Sequence, residues 1–406
     1  MKRMKQSSSN GTTELYPATV QWLPGGPGYF SNLLSLIRSA TFSIHLQTYI
    51  YADDEAGRLV AAALTEAAGR GVKVYLLADG YASQSLPSSF ISEMRSAGIR
   101  FRFFEPLFRS AYFYLGRRMH HKIIVIDERI ALVGGLNISD HYRGTEKQLP
   151  WLDFALQAEG PVAKALCVVC SKTWNSFRSG QPASICSNQP PPTPGANACP
   201  VGIRRNDWVR HKNEISASYI RLLREARQEV TILSSYFLPG RVIRRLLKAA
   251  VKRGVKITVI TAGPSDVMLA KYGERWLYNW LLRNHIGLYE YQPTILHAKL
   301  AIADDQWFTL GSYNVNNISA YASVELNLDV HSPSLTGSLR AHIQEHILQH
   351  SIPITEQWQR QHQPVFTRLL QWGAYQLIRI IFFSLTFYFK QRAARKNAGR
   401  LHHPAS

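Results

Sequence analysis

The sequence predicts an α/β protein of two similar lobes, each a mixed β-sheet flanked by helices, meeting at a central cleft. Three observations carry that expectation. Short apolar runs rich in strand formers alternate with stretches of helical spacing along most of the chain. The order His, one residue, Lys, four residues, Asp, six residues, Gly, two residues, Asn occurs twice, with every matched position displaced by 177 residues. Smaller coincidences accompany it: Arg253-Gly254-Val255-Lys256 echoes Arg70-Gly71-Val72-Lys73, Tyr236 matches Tyr49, and Pro293 matches Pro106. A duplicated unit accounts for all of these together better than local propensity does.

Taken in order, residues 1–25 are largely polar and end in Pro and Gly, which reads as a loose arm. The first lobe is expected over 26–180. Asn32–Ala40 has helical spacing and Phe42–Tyr51 reads as a strand. Residues 56–69 form an Ala-rich helix, and a turn at Arg70-Gly71 leads to a strand ending near Asp79. A helix at about 88–97 and a strand at Ile99–Phe104 follow. The Pro-rich stretch 181–202 reads as a semi-rigid linker. The second lobe, 203–350, repeats the alternation with a helix at Ile215–Arg227 and a strand at Glu229–Phe237. Next comes a basic helix at Arg241–Arg253, either a solvated face or a surface for anionic lipid. Residues 351–406 form an apolar and basic tail. Arg368 and Arg379 divide Val365–Phe389 into charge-free runs of about ten residues, and a spanning helix needs about 20. The pattern favours an anchor lying on the membrane over a spanning or a packed helix.

The repeated stretch has a chemical logic. Lys122–Ile126 and Lys299–Ala303 read as strands, on which residues two apart share a face. His120 therefore projects with Lys122, and His297 with Lys299. Asp127 and Asp304 open turns, and a second apolar run in each copy ends at Gly134 or Gly311, where a sharp turn delivers Asn137 or Asn314. Two such hairpins face to face would pool two imidazoles, two ammonium groups and two amides. One imidazole can attack phosphorus while the other protonates the leaving oxygen. The lysines and amides would hold the non-bridging oxygens of a phosphodiester. No cofactor and no metal is expected, because lysine supplies the positive charge.

Composition narrows the partners. A net charge of +20 implies an anionic partner, a phospholipid surface or nucleic acid. Among the four cysteines, Cys167 and Cys170 lie in an apolar run and are expected as buried thiols rather than zinc ligands, with Cys186 and Cys199 in the Pro-rich segment. The N-terminus lacks the apolar core of a secretory signal, which points to the cytoplasmic side.

The doubled motif resembles that of the phospholipase D superfamily, and the whole chain looks most like the short bacterial cardiolipin synthases that lack N-terminal membrane helices. The resemblance spans roughly residues 30–345. It implies that an acidic residue of one lobe orients the histidine of the other, so that Glu325 would serve His120 and Asp153 would serve His297. It also implies that Asp127 and Asp304 are structural rather than chemical. The activity it implies is phosphatidyl transfer from phosphatidylglycerol or phosphatidylethanolamine to an alcohol such as phosphatidylglycerol, through a phosphohistidine on His120. The roles of the two histidines could be exchanged. The alternatives are phospholipid hydrolysis, a nuclease of the same site chemistry, and an inactive membrane scaffold. The apolar tail stands against the nuclease, and the filled catalytic positions stand against the scaffold. The first copy also carries ten extra residues within Leu107–Met119, rich in aromatics and Arg, expected as an interfacial or packing loop beside His120. A monomer with internal pseudo-two-fold symmetry, bound peripherally to the cell membrane, completes the expectation.

Overall fold

The computed structural model describes residues 14–106, 117–176, 185–321 and 323–381. The N-terminal part contains β1 (Tyr16–Pro24), α1 (Pro27–Ser39), β2 (Ser43–Thr48), α2 (Glu55–Gly69), β3 (Lys73–Asp79), α3 (Ser88–Ser96) and β4 (Arg100–Phe104). It continues through β5 (Arg118–Met119), β6 (Lys122–Ile126), β7 (Ile130–Gly134), α4 (Asp140–Arg143), β8 (Phe154–Glu159) and α5 (Pro161–Trp174). The C-terminal part contains β9 (Cys199–Asp207), β10 (Lys212–Asn213), α6 (Glu214–Glu225), β11 (Glu229–Ser234), α7 (Arg241–Lys252), β12 (Lys256–Ala262), α8 (Met268–Arg283) and β13 (Gly287–Tyr291). It closes with β14 (Lys299–Ala303), β15 (Trp307–Gly311), α9 (Asn317–Tyr321), β16 (Ser323–His331), α10 (Pro333–His342), β17 (Ser351–Pro353), α11 (Glu356–His362) and α12 (residues 365–381).

Pairing orders the first sheet as β1-β8-β7-β6-β2-β3-β4, with β2, β3 and β4 parallel and the other pairs antiparallel. The second runs β9-β16-β15-β14-β11-β12-β13, with β11, β12 and β13 parallel, and β17 adds to β13. The architecture is a mixed α/β one with extensive sheet and flanking helices. β6, β7, β14 and β15 are buried along their whole length. That explains why they read as continuous apolar runs rather than alternating ones. Between the sheets, Ile123, Val125, Val133 and Leu156 meet Leu233, Leu300, Leu310 and Leu328, with α5 and α10 closing the sides. The outer faces carry α1–α3 on one sheet and α6–α8 on the other.

Three expectations change. The stretch read as an arm holds β1, which pairs along Thr19–Pro24 with β8 and at Tyr16–Ala18 with β9, so one strand ties both sheets. Its Tyr, Val, Trp and Leu were masked by flanking polar residues. The Pro-rich linker ends in β9, which begins at Cys199 inside the range read as linker. Cys167 is buried but is not a free thiol: it is joined to Cys186, tying the Pro-rich segment to α5, while Cys170 stays free and buried. The aromatic insert lies outside the described residues from 107 to 116, as does the tail beyond 381.

Candidate active site

Each histidine is carried by one sheet and positioned by the other. His120 follows β5, whose Arg118 and Met119 pair in parallel with Ser323 and Val324 of β16, and the His120 amide donates to the Val324 carbonyl. In the second copy, Leu152 bridges Leu296, and the His297 amide donates to the Leu152 carbonyl. The next residue on each positioning strand is the acid. Glu325 Oε2 lies 2.9 Å from His120 Nδ1, and Asp153 Oδ2 lies 2.6 Å from His297 Nδ1. A carboxylate on Nδ1 fixes the proton there and turns Nε2, with its lone pair, toward the cleft.

The lysines lie beneath the rings. Lys122 Nζ donates to the His120 carbonyl, Lys299 Nζ to the His297 carbonyl, and Lys299 also donates to Ser235 Oγ at 3.1 Å. Burial, reinforced by Lys299, pushes the Lys122 ammonium down to about 7. Burial pushes Lys299 down to about 8, against the pull of Asp153 and Glu325. Burial also lifts the Asp153 carboxyl to about 7, opposed by Lys299. His120 is lowered by burial with Glu325 opposing, and His297 is lowered well below the ordinary range by burial, Lys299, Lys122 and His120. Both imidazoles rest neutral, and each lysine feels the carboxylates of both histidine pairs. The two lysines thus share one buried site with the carboxylates of Asp153 and Glu325.

A buried ion cluster sets the approach to His120. Arg117 bridges Glu105 at 2.7 Å and Asp207 at 2.8 Å, and Asp79 accepts from the Met119 amide at 2.8 Å. Tyr49 flanks His120, and the Lys122 ammonium lies over the Tyr49 ring.

The remaining motif residues divide. Asp127 stays at the far end of β6, accepting the backbone N–H groups of Thr41, Phe42 and Ser43, and Asp304 does the same for Arg227, Gln228 and Glu229. Neither reaches the cleft. Asn137 is committed at both ends: Oδ1 accepts from the Ile50 amide and Nδ2 donates to the Tyr142 hydroxyl at 2.7 Å. Its part is to place Tyr142 rather than to offer its amide freely. Asn314 is buried, with no partner to its Oδ1 among the described residues. Gly134 and Gly311 do not make sharp turns. They let β8 and β16 approach, since a Cβ would come within 2.5 Å of the Phe154 carbonyl oxygen or 2.2 Å of that of Leu326.

Sequence reasoning missed Tyr142, Trp151, Gly135 and Ser235. Tyr142 Oη lies 3.3 Å from His297 Nε2, and Trp151 packs on the same ring. A Cβ on Gly135 would fall 2.4 Å from both Asp153 oxygens. Tyr142 has no aromatic twin, since the residue 177 positions on is Ser319. Comparison of the repeats passes over it. Among the described residues, Glu128 with Cys167 and Cys186 is the group close enough to hold a metal, but its sulfurs are bonded to each other.

Two histidines, each backed by a carboxylate from the opposite sheet, thus stand with a pair of buried lysines where the two sheets meet. Residues 33–148 and 219–347 match the family model described as cardiolipin synthase, PLD-like domain, and the chain belongs to that phospholipase D family, whose activity is of the phosphatidyltransferase type. It is 34% identical over 337 residues to cardiolipin synthase B of Salmonella typhi, covering 80% of this chain and 79% of that one. It is 30% identical to cardiolipin synthase 1 of Bacillus anthracis, covering 77% and 62% respectively. Among solved structures, a phosphatidylserine synthase from Haemophilus influenzae superposes with a TM-score of 0.70 at 14% identity, covering 91% of this chain and 96% of that one. At that identity the likeness is one of fold. Among the described residues no helix is long and apolar enough to cross a membrane.

Proposed function

We propose that the protein is a cardiolipin synthase-type phosphatidyltransferase whose two sheets are duplicated, pseudo-symmetric lobes of a monomer acting at a membrane surface. The observation that carries this reading is the crossed pairing of His120 with Glu325 and His297 with Asp153 above Lys122 and Lys299.

His120 is the nucleophile. Among the described residues its Nε2 has no hydrogen-bond partner, whereas that of His297 meets the Tyr142 hydroxyl. His120 Nε2 attacks the phosphorus of a phospholipid such as phosphatidylglycerol, and the P–N bond forms as the P–O bond to the headgroup breaks. The departing oxygen takes a proton from His297 Nε2, so His297 must be loaded before that step. The incoming phosphodiester anion favours this by neutralising the lysines that oppose protonation. His297 then removes the proton of the acceptor alcohol, whose oxygen bonds to phosphorus as the P–N bond breaks. With the glycerol end of a second phosphatidylglycerol as acceptor, the product is cardiolipin. Lys122, Lys299 and Asn314 hold the phosphoryl oxygens, and Asp153 and Glu325 support the imidazolium forms.

Mass spectrometry of lipid products after incubation with phosphatidylglycerol, with and without phosphatidylethanolamine, tests the reading. Cardiolipin is expected. Phosphatidic acid alone would make water the acceptor and the protein a hydrolase. Phosphohistidine trapping tests the assignment of roles: label that persists only when His120 is replaced by Ala would move the nucleophile to His297.

A further inference from the structure

α12 buries Gln371, Ala374 and Ile378, one side of a helix, and through Ile378 and Tyr375 it packs on Leu277 and Trp276 of α8. Gly273 of α8 makes the contact possible, since a Cβ there would come within 2.6 Å of Ile378. The other side of α12 is apolar and open: Phe366, Leu369, Trp372, Leu377 and Ile380 are exposed, Phe366 at 71%. The start of α8, five residues ahead of that contact at Gly273, is apolar and open as well, with Met268 58% exposed between Val267 and Leu269, both also exposed. Scattered apolar side chains on a surface need no explanation, but a contiguous set on one face marks a contact.

Position and charge say what the contact is with. Asp266, one residue ahead of Val267, accepts from the Tyr236 hydroxyl at 2.6 Å, and its charge is felt by Lys299 and Tyr142. The apolar surface therefore begins at the rim of the catalytic centre. Leu238, just ahead of α7, packs with Ile378, and Arg244 of α7 stacks on Trp280 of α8. This brings the exposed Arg241, Arg245 and Lys248 alongside. No Asp or Glu follows Glu356, while eight Lys and Arg do. An apolar ridge whose exposed charges are mostly basic, Arg241, Arg245, Lys248, Arg368 and Arg379 against Asp266 at the rim, fits an anionic bilayer. A second copy of the chain would oppose two cationic faces, which repel.

We propose that the open side of α12 and the N-terminal end of α8 dock on an anionic phospholipid bilayer, turning the rim at Asp266 and Tyr236 toward the headgroups. Lipid then enters the site without leaving the membrane, a consequence that rests on the phosphatidyl-transfer reading.

The test uses vesicles of phosphatidylcholine with and without phosphatidylglycerol, and the variants Leu369→Glu and Met268→Glu in the full chain. Both variants are expected to lose at least tenfold in affinity for the anionic vesicles and in turnover of vesicle lipid. Turnover of monomeric short-chain phosphatidylglycerol should stay within twofold of the wild type, which also shows that the variants are folded. Unchanged vesicle affinity in both overturns the proposal. So does sedimentation showing a wild-type dimer that the substitutions split while vesicle binding persists, because a second copy would then cover the face. Failure of the wild type to turn over short-chain lipid, with vesicle affinity still lost in the variants, would instead remove the phosphatidyl-transfer reading and leave the docking face standing.

Discussion

Gly135 carries no functional group, yet it controls one. Both oxygens of Asp153 lie where its Cβ would stand, so Gly135→Ala must drive the carboxylate away from His297. Loss of an orienting carboxylate costs between about 10²- and 10⁴-fold in turnover in comparable dyads, and a loss in that range is expected, with the folded state retained by circular dichroism. The second copy solves the same packing problem differently: Ser312 occupies the matching place and donates its hydroxyl to Glu325. Tyr142 is the other asymmetric residue. Tyr142→Phe removes the hydroxyl at His297 Nε2 and should shift the pH profile of turnover while leaving KM within about twofold, a split that loss of packing alone would not produce.

At the scale of elements, the two acid-capped turns are structural. Asp127 and Glu128 both hold positive φ, and Asp127 gathers three successive backbone N–H groups ahead of β2. Asp127→Ala should destabilise the fold by about 2–3 kcal/mol, read from denaturant unfolding. Those N–H groups hold the Asp127 carboxyl below its ordinary pKa, although partial burial opposes them. Its stabilisation is therefore present above the unfolded-state pKa and lost as pH falls through the depressed folded value. The link between Cys167 and Cys186 closes 19 residues, which in chain-entropy terms is worth about 3 kcal/mol. Reductant should lower the Tm of the wild type and leave that of Cys186→Ser unchanged. Elements with a twin were legible in the sequence, because the second copy of a turn or strand checks the first. β1 and β9 were not, because each lies at the edge of a polar or Pro-rich stretch and gains its order from pairing with β8 and β16, far away in the chain. The disulfide was hidden for the same reason. The motif residues themselves were visible, but Asn137 looked free only because its partner Tyr142 breaks the repeat.

Across the whole molecule, charge and burial work together. Two lysines that burial holds at about 7 and about 8 are expected to take up protons as a phosphodiester anion binds beside them. Affinity for the lipid phosphate should therefore fall as pH rises through that window, by about tenfold between pH 6.5 and 8.5. Calorimetry in buffers of different ionisation enthalpy would register net proton uptake at pH 7.5. The uptake should shrink in Lys122→Met.

The backbone bonds from His120 to Val324 and from His297 to Leu152 make each ring the dependant of a strand belonging to the other sheet. Damage is thus shared by partners that sit 144 or 205 residues apart. Breaking Asp153 and His297 together should injure turnover little more than breaking His297 alone, whereas Asp153 and Glu325 broken together should compound. The doubled motif is wired as two crossed circuits, so an injury to either sheet is felt at the ring that the other one carries.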